Sequence, residues 1–181
     1  SILGTRLLGE DIVVWKLGEQ YQVWQDLCIH RGAKLSLGKL EGDCLKCPYH
    51  GWTYSAEGRC VRMPAHPNQT PPAKAEVKKY LAQERYGLVW ACLGTPSNDI
   101  PRFPEWDNPN MGKAVCGPFA HIRAHGPRLI ENYLDAAHFP FVHEGVLGDP
   151  NHPELGEFEV RITANGVESD PIAIYQPDPY G

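Results

Sequence analysis

The chain has 181 residues, of which 42% are hydrophobic and 22% charged, and its formal net charge at pH 7 is -5. This size and composition indicate a globular protein with one ordinary domain or two small ones. The acidic balance gives no electrostatic reason to expect nucleic acid or an anionic membrane surface as a partner. No apolar run is long enough to span a bilayer, and the N-terminus lacks the pattern of a signal peptide, so we expect a cytoplasmic protein.

The first half of the sequence predicts short strands separated by turns. Apolar and aromatic residues recur in short runs that are bounded by turn residues, which is typical of a half-buried sheet. The runs are residues 11–16, 21–28, 52–55, 60–63, 77–84 and 86–94. Residues 64–73 are rich in proline and predict an extended connection, because proline cannot continue a central strand. Together these patterns indicate a small antiparallel β domain that ends near residue 95.

The second half of the sequence has a different character. Residues 96–110 are rich in Pro, Asn and Asp and predict a crossing segment with little regular structure. Residues 128–138 place apolar side chains at helical spacing and predict a helix. Pro127 suits the start of this helix, and Pro140 suits its end or a kink. Residues 158–176 alternate around an Asn-Gly turn and predict a hairpin.

Two Cys/His pairs lie close together in the β domain. Cys28 and His30 occur in CIHRG, and Cys47 and His50 occur in CPYHGW. A structural zinc site formed by three cysteines, including Cys44, and one histidine is one interpretation. The alternating order of Cys and His favours a Rieske [2Fe-2S] cluster, in which two thiolates bind one iron and two imidazoles bind the other. Cys44 is surplus to that ligand set.

The segment that contains both pairs, residues 28–60, resembles the Rieske signature, CxHRG followed by CPYHGW. The resemblance implies that the two cysteines bind one iron and the two histidines the other, which raises the reduction potential above that of an all-cysteine cluster. Ala33 and Tyr49 stand where high-potential respiratory relatives carry a disulfide. The sequence therefore resembles the lower-potential branch of oxygenases and ferredoxins. Trp52 is expected to shield the cluster or to shape a docking surface.

A second group of candidate ligands lies in ENYLDAAHFPFVH, residues 131–143. It contains Asn132, Asp135, His138 and His143. Two histidines on an amphipathic helix are more often packing or surface residues than metal ligands. Two histidines and one carboxylate, however, are the ligand set of iron that activates oxygen, because they leave coordination positions open.

This stretch resembles the N-x2-D-x2-H-x4-H motif of Rieske non-heme iron oxygenases. The resemblance implies that His138 and His143 bind mononuclear Fe(II). It also implies that Asp135 bridges a ligand histidine to a Rieske histidine of the neighbouring protomer, and that Asn132 lies near the iron. The family's third iron ligand is a carboxylate from a helix far downstream, which this sequence does not contain. We therefore expect the chain to be the N-terminal part of a longer subunit.

The family resemblance implies an α+β fold with three segments. Residues 1–95 would form the small antiparallel β Rieske domain, and residues 96–110 the crossing segment. Residues 111–181 would begin a catalytic domain of helix and antiparallel sheet, with a helix-grip, START-like architecture. The N-x2-D spacing is similar to that of the homo-oligomeric, demethylase- or monooxygenase-like members, which implies a head-to-tail homotrimer.

The implied function is that of a terminal oxygenase, a mono- or dioxygenase. Electrons from NAD(P)H would arrive through a flavin reductase or a ferredoxin, enter the [2Fe-2S] cluster and pass to mononuclear Fe(II). There O2 would be used to hydroxylate, or to O- or N-demethylate, an aromatic or alkaloid-like small molecule. Neither nucleic acid nor a membrane is expected as a partner. The rival hypothesis is a Rieske-type electron-transfer protein without oxygenase activity.

Overall fold

The computed structural model describes residues 1–113, 122–164 and 166–177. The chain divides into two compact units, residues 1–116 and 117–181. In its described residues, the first unit consists mainly of antiparallel strands, whereas the second contains helices and a hairpin. The predicted α+β class is confirmed.

The strands of the first unit pair in antiparallel sheets. They are β1 (Ile2–Leu7), β2 (Glu10–Leu17), β3 (Gln20–Gln25), β4 (Lys39–Glu41), β5 (Cys44–Lys46), β6 (Thr53–Tyr54), β7 (Cys60–Arg62), β8 (Lys79–Arg85) and β9 (Leu88–Cys92). Within the described residues, one sheet has the order β1-β2-β3-β8-β9 and the other has the order β4-β5-β6-β7. The six predicted strands are confirmed as β2, β3, β6, β7, β8 and β9, and β6 and β7 pair antiparallel.

Three strands have no counterpart in the sequence prediction. Most side chains of β1 are exposed, so its sequence lacks a buried, alternating pattern. Strands β4 and β5 are three residues each, too short for such a pattern. The predicted strand at residues 21–28 is also too long, because β3 ends at Gln25 and the chain turns at Asp26 into the first Cys/His loop.

The larger of two hydrophobic clusters in the described residues joins the two sheets of the first unit. Trp15 and Trp24 are fully buried and meet edge to face, with ring centroids 5.0 Å apart. Tyr54 of β6 belongs to the same packed group, and so do Cys28 and Cys47. The packing that holds the sheets together therefore also fixes the two candidate thiol ligands.

The segment of residues 96–110 is hydrogen-bonded to Tyr86, which lies in the turn between β8 and β9. The Tyr86 hydroxyl donates a hydrogen bond to the Pro101 carbonyl at 3.1 Å and accepts one from the Phe103 N–H at 2.9 Å. The rings of Tyr86, Phe103 and Trp106 contact one another. This segment includes a short 3₁₀ helix, Pro104–Asp107, so it is more regular than the sequence predicted.

The described part of the second unit contains helix α1 (Gly126–Leu134), the one-turn helix α2 (Phe139–Val142) and a hairpin of β10 (Val160–Thr163) and β11 (Gly166–Ser169). The predicted hairpin is confirmed, with Asn165 of its predicted turn outside the described residues. Neither α1 nor any other helix in the described ranges has the length and apolar character of a membrane-spanning segment.

The predicted helix over residues 128–138 is too long, because α1 ends at Leu134. Asp135 has extended backbone, and its carboxylate accepts a hydrogen bond from the Ala137 N–H at 2.9 Å. Such a local bond from Asp to the backbone two residues later competes with the helix. Pro140 does not end α1 but lies in the first turn of α2, where its missing N–H costs nothing.

Candidate metal centres

Two loops of the first unit bring the Cys/His pairs together. The loop after β3 carries Cys28 and His30, and the loop after β5 carries Cys47 and His50. Both cysteines are only 2% exposed and belong to one buried cluster, and burial, with a contribution from the Cys28 thiol, raises the pKa of Cys47. The rings of the two histidines meet with centroids 4.6 Å apart. The four side chains thus form one group, with the thiols buried and the imidazoles towards the surface.

Glycines allow both loops to turn sharply. Gly32 has φ +73° and donates its N–H to the Cys28 carbonyl at 2.8 Å. Gly51 has φ +69°, and a Cβ added there would lie 3.0 Å from Cγ of Pro64. These positions favour glycine because an L-residue with a side chain rarely adopts positive φ.

Asp26 closes the first loop. Its side chain is buried, and its two carboxylate oxygens accept hydrogen bonds from the Ser36 N–H at 2.7 Å and from the Ser36 Oγ–H at 2.6 Å. The two residues flank the loop that carries Cys28 and His30. The carboxylate therefore fixes both ends of this loop.

Replacing Asp26 with alanine is expected to lower the free energy of unfolding by about 2 to 4 kcal/mol, because hydrogen bonds to a buried carboxylate are lost and their donors lose a partner. Urea unfolding of the purified protein measures the change. Asp43→Ala, at an exposed position, is the control and should shift the value by less than about 0.5 kcal/mol. Equal stability of the two variants would contradict this role of Asp26.

Hydrogen-bond donors surround the two sulfurs. The Tyr54 hydroxyl lies 3.1 Å from Sγ of Cys28, and both groups are buried. Burial raises the pKa of the Cys47 thiol, while backbone hydrogen bonds from Tyr49 and His50 act in the opposite direction. Donors directed at a sulfur stabilise the thiolate, which is the form that binds metal.

Replacing Tyr54 with phenylalanine is expected to lower the reduction potential of the bound cluster. Burial, and then the bond with Cys28, raise the pKa of Tyr54 far above its usual value, so the hydroxyl stays protonated. A hydrogen bond to the sulfur favours the reduced cluster, which carries more negative charge. If the hydrogen bond stabilises the reduced cluster over the oxidised one by about 1 kcal/mol, its loss lowers the one-electron reduction potential by about 40 mV.

A redox titration followed by absorbance measures this shift. Tyr80→Phe is the matched control, because Tyr80 is also buried and its hydroxyl has no hydrogen-bond partner among the described residues. We expect the control to keep the wild-type potential. A wild-type potential in Tyr54→Phe would refute the proposed bond.

The surroundings of His30 fit a metal ligand. Its Nδ1 atom is buried and has no hydrogen-bond partner in the described ranges. Burial, followed by the charges of His50 and Arg31, lowers the pKa of His30, which favours the neutral imidazole that binds metal. A buried ring nitrogen without a partner is costly unless something binds it. Two buried thiols and two adjacent imidazoles therefore suit a [2Fe-2S] cluster.

The zinc interpretation receives no support from the geometry. In residues 1–113, 122–164 and 166–177, no three Cys, His, Asp or Glu side chains are grouped so that they could hold one metal ion. A structural zinc site needs four ligands around a single ion. A Rieske cluster divides its four ligands between two irons, two on each. Cys44 is a free, partly buried thiol on β5.

The second group of candidate ligands flanks α2. His138 lies at the N-terminal cap of this helix and His143 at its C-terminal cap. Their ring centroids are 5.3 Å apart. The two histidines are thus brought together by the single turn of α2, and neither lies on α1, where the sequence placed His138.

Asp135 lies next to His138. Its Oδ2 atom is 3.4 Å from Nδ1 of His138, and that nitrogen is buried without a hydrogen-bond partner among the described residues. This placement is compatible with the expectation that Asp135 contacts a ligand histidine. Its side chain is 51% exposed in the single chain. Asn132 lies on α1 and is exposed.

Sequence reasoning missed two residues that shape the first centre. Tyr54 follows the CPYHGW motif by two residues, and strand alternation would have placed it on the same face as Trp52. Its contact with Cys28 depends on how two distant loops meet, which no local pattern reveals. Asp26 resembled an ordinary polar strand end, and nothing in the sequence indicated its bond to Ser36.

Comparisons with known proteins agree with this arrangement. Residues 1–81 match the family model of the Rieske [2Fe-2S] domain. Residues 122–180 match that of the vanillate O-demethylase oxygenase C-terminal domain. The methylxanthine N1-demethylase NdmA of Pseudomonas putida is 43% identical over 154 residues, which cover 84% of this chain and 44% of that protein.

A further relative and a solved structure of NdmA give the same result. The methylxanthine N3-demethylase NdmB of Pseudomonas putida is 35% identical over 175 residues, covering 88% of this chain and 49% of that protein. The solved structure of NdmA from Pseudomonas putida CBB5 superposes with a TM-score of 0.81 at 41% identity, covering 88% of this chain and 48% of the other. The chain spans about half the length of these relatives. It belongs to the Rieske oxygenases and corresponds to their N-terminal part, a Rieske domain followed by the start of the oxygenase C-terminal domain.

Proposed function

We propose that this chain is the N-terminal part of a terminal oxygenase, which uses electrons relayed through a Rieske cluster to oxidise a small organic substrate with O2. The observation that carries the proposal is the meeting of both Cys/His pairs in one group, where a buried ring nitrogen of His30 lacks a partner. The match of residues 122–180 to an oxygenase C-terminal domain supports an oxygenase over an electron carrier. A carrier needs no such domain.

We assign Cys28 and Cys47 to one iron of the cluster and His30 and His50 to the other. When bound, the cluster supplies one-electron transfer. The chain itself supplies the Tyr54 hydroxyl and two backbone N–H groups as donors to the sulfurs, which stabilise negative charge there. Burial of the thiols keeps water away from the sulfur side.

We assign His138 and His143 to mononuclear Fe(II), which would bind O2 at its open positions. Oδ2 of Asp135 lies 3.4 Å from Nδ1 of His138, so a hydrogen bond formed between them would orient the ring and leave Nε2 for the metal. Asn132, one turn earlier on α1, would lie near the iron and orient substrate or water. None of the described residues is assigned as the third, carboxylate ligand.

The proposed reaction is the oxidative removal of an N-methyl or O-methyl group from an aromatic ring. The names of the relatives, methylxanthine N-demethylases, make an N-methylated xanthine the first substrate to test. One atom of O2 enters a methyl C–H bond, and the other leaves as water with two electrons and two protons. The hydroxymethyl carbon then leaves as formaldehyde, and the ring nitrogen or oxygen keeps a hydrogen.

We propose that the electrons come from NAD(P)H through a flavin reductase, directly or by way of a ferredoxin. We also propose domain limits at residues 1–95, 96–110 and 111–181, and a cytoplasmic location. No role in nucleic-acid or membrane binding is proposed for a chain of this charge.

A head-to-tail homotrimer fits the distribution of charge. The two cluster loops, between β3 and β4 and between β5 and β6 (residues 26–38 and 47–52), contain two exposed basic residues, Arg31 and Lys34, and one acidic residue, the buried Asp26. The described residues of the second unit contain nine acidic and three basic residues. Opposite charges favour contact between the first unit of one copy and the second unit of its neighbour, in a ring-closing interface. Sedimentation equilibrium should give three times the subunit mass, and a monomer would overturn this part of the proposal.

The test of the proposed function is turnover by the full-length subunit with NADH, a flavin reductase, O2 and caffeine. We expect one formaldehyde and one demethylated xanthine for each NADH consumed, detected by colorimetry and mass spectrometry. A panel of methoxybenzoates covers the O-methyl alternative. If the cluster is reduced and reoxidised without product from any N-methyl or O-methyl compound, the electron-carrier hypothesis replaces the proposal.

A further inference from the structure

The two candidate imidazole ligands have different aromatic neighbours. The ring of His30 lies parallel to that of Trp52, with an interplanar angle of 3° and centroids 4.5 Å apart. The ring of His50 leans against Tyr49 at 34°, with centroids 3.9 Å apart. Tyr49 is 66% exposed, whereas Trp52 is partly buried. The contact on His30 is therefore the more protected of the two.

Trp52 is itself held by the fold. Its carbonyl accepts a hydrogen bond from the Cys47 N–H at 2.8 Å, and β6 begins at the next residue. Its side chain packs against the main core of the first unit. The stack on His30 crosses from the second cluster loop to the first, so the core sets the plane in which the imidazole lies.

We propose that Trp52 is a positioning residue, which fixes the ring plane of His30 and keeps water from the imidazole face that it covers. The inference rests on the proposed function, because it takes His30 as an iron ligand. The two histidine ligands are then held unequally, because His30 has a parallel stack with the partly buried Trp52, whereas His50 has a tilted contact with the exposed Tyr49.

The stack has a consequence for the reduction potential. A cluster held by two thiolates and two neutral imidazoles becomes more negative on reduction. Water stabilises the more charged state, so a dry face at His30 keeps the potential lower than a wet one. Loss of the Trp52 ring should therefore raise the potential and loosen the orientation of His30.

The test compares Trp52→Leu and Trp52→Phe with two controls in the full-length holoprotein. Tyr49→Leu removes the exposed stack on His50, and Trp90→Leu removes a partly exposed tryptophan of β9. Measurements are the reduction potential and the electron paramagnetic resonance spectrum of the reduced cluster. We expect a raised potential and a broadened spectrum in Trp52→Leu, intermediate values in Trp52→Phe, a smaller change in Tyr49→Leu and none in Trp90→Leu.

A wild-type potential and spectrum in Trp52→Leu would overturn the inference, even if thermal stability fell, because a purely structural role predicts only the latter. If Trp52→Leu does not retain the cluster, Trp52→Phe carries the test, and a shift no larger than that of Tyr49→Leu would overturn the inference. A wild-type protein without iron and sulfide would instead refute the proposed function. A wild-type cluster with unchanged Trp52 variants would refute the inference alone.

Discussion

Cys47→Ser is expected to abolish the cluster, with iron and acid-labile sulfide falling below about a tenth of the wild-type content. Cys47 is 2% exposed and is packed in the same buried cluster as Cys28, so water has no access to replace its thiolate. A serine hydroxyl stays protonated at neutral pH and is a poor iron ligand in place of a thiolate. Iron and sulfide analysis, together with the visible spectrum, measures the loss.

Cys44→Ser is the matched control for this experiment. Cys44 is a free thiol three residues earlier, at the start of β5, and the structure gives it no place in the ligand group. We expect this variant to keep wild-type iron and sulfide. If Cys44→Ser lost its metal as completely as Cys47→Ser, the assignment of the cluster ligands would be wrong and a zinc site that includes Cys44 would be favoured.

The second large effect is expected from His138→Ala. This variant should lose the mononuclear iron and lower product formation by at least about a thousandfold, equivalent to about 4 kcal/mol of transition-state stabilisation. The cluster, which lies in the first unit, should still be reduced at the wild-type rate. Stopped-flow absorbance follows cluster reduction, and formaldehyde release follows product formation.

His152→Ala controls for the removal of a histidine from the same unit. His152 is exposed, and its ring contacts that of Tyr175 with centroids 4.8 Å apart. It is not one of the proposed iron ligands. This variant should keep its iron and its activity. Product formation at the wild-type level in His138→Ala would show that this histidine holds no essential metal, and the electron-carrier hypothesis would then gain.

The elements that sequence predicted best are those with a buried face. Strands β2 and β3 alternate around Trp15 and Trp24, and the pattern reflects the core that they form. Strand β1 was missed because it pairs through its backbone while its side chains remain exposed. The predicted helix was longer than α1, because the apolar spacing continues beyond Leu134. The helix ends there because the Asp135 carboxylate accepts a hydrogen bond from the Ala137 N–H.

In the candidate site too, the features that follow from a local sequence pattern were predicted, and those that depend on tertiary contacts were not. Residue types and spacing suggested both Cys/His pairs, because each pair lies within a few residues of the sequence. The contacts that tune the pairs could not be predicted, since Tyr54 meets Cys28, and Trp52 meets His30, only after distant loops come together. The candidate ligands could therefore be predicted from the sequence, whereas their hydrogen bonds and ring stacking depend on tertiary packing.

Iron and acid-labile sulfide analysis of the purified full-length subunit, with the absorption and electron paramagnetic resonance spectra of its reduced form, tests the two metal centres most directly. We expect about three irons and two sulfides per chain and the spectrum of a cluster with mixed Cys and His ligands. A colourless protein that contains zinc and no sulfide would contradict the assignment of a Rieske cluster.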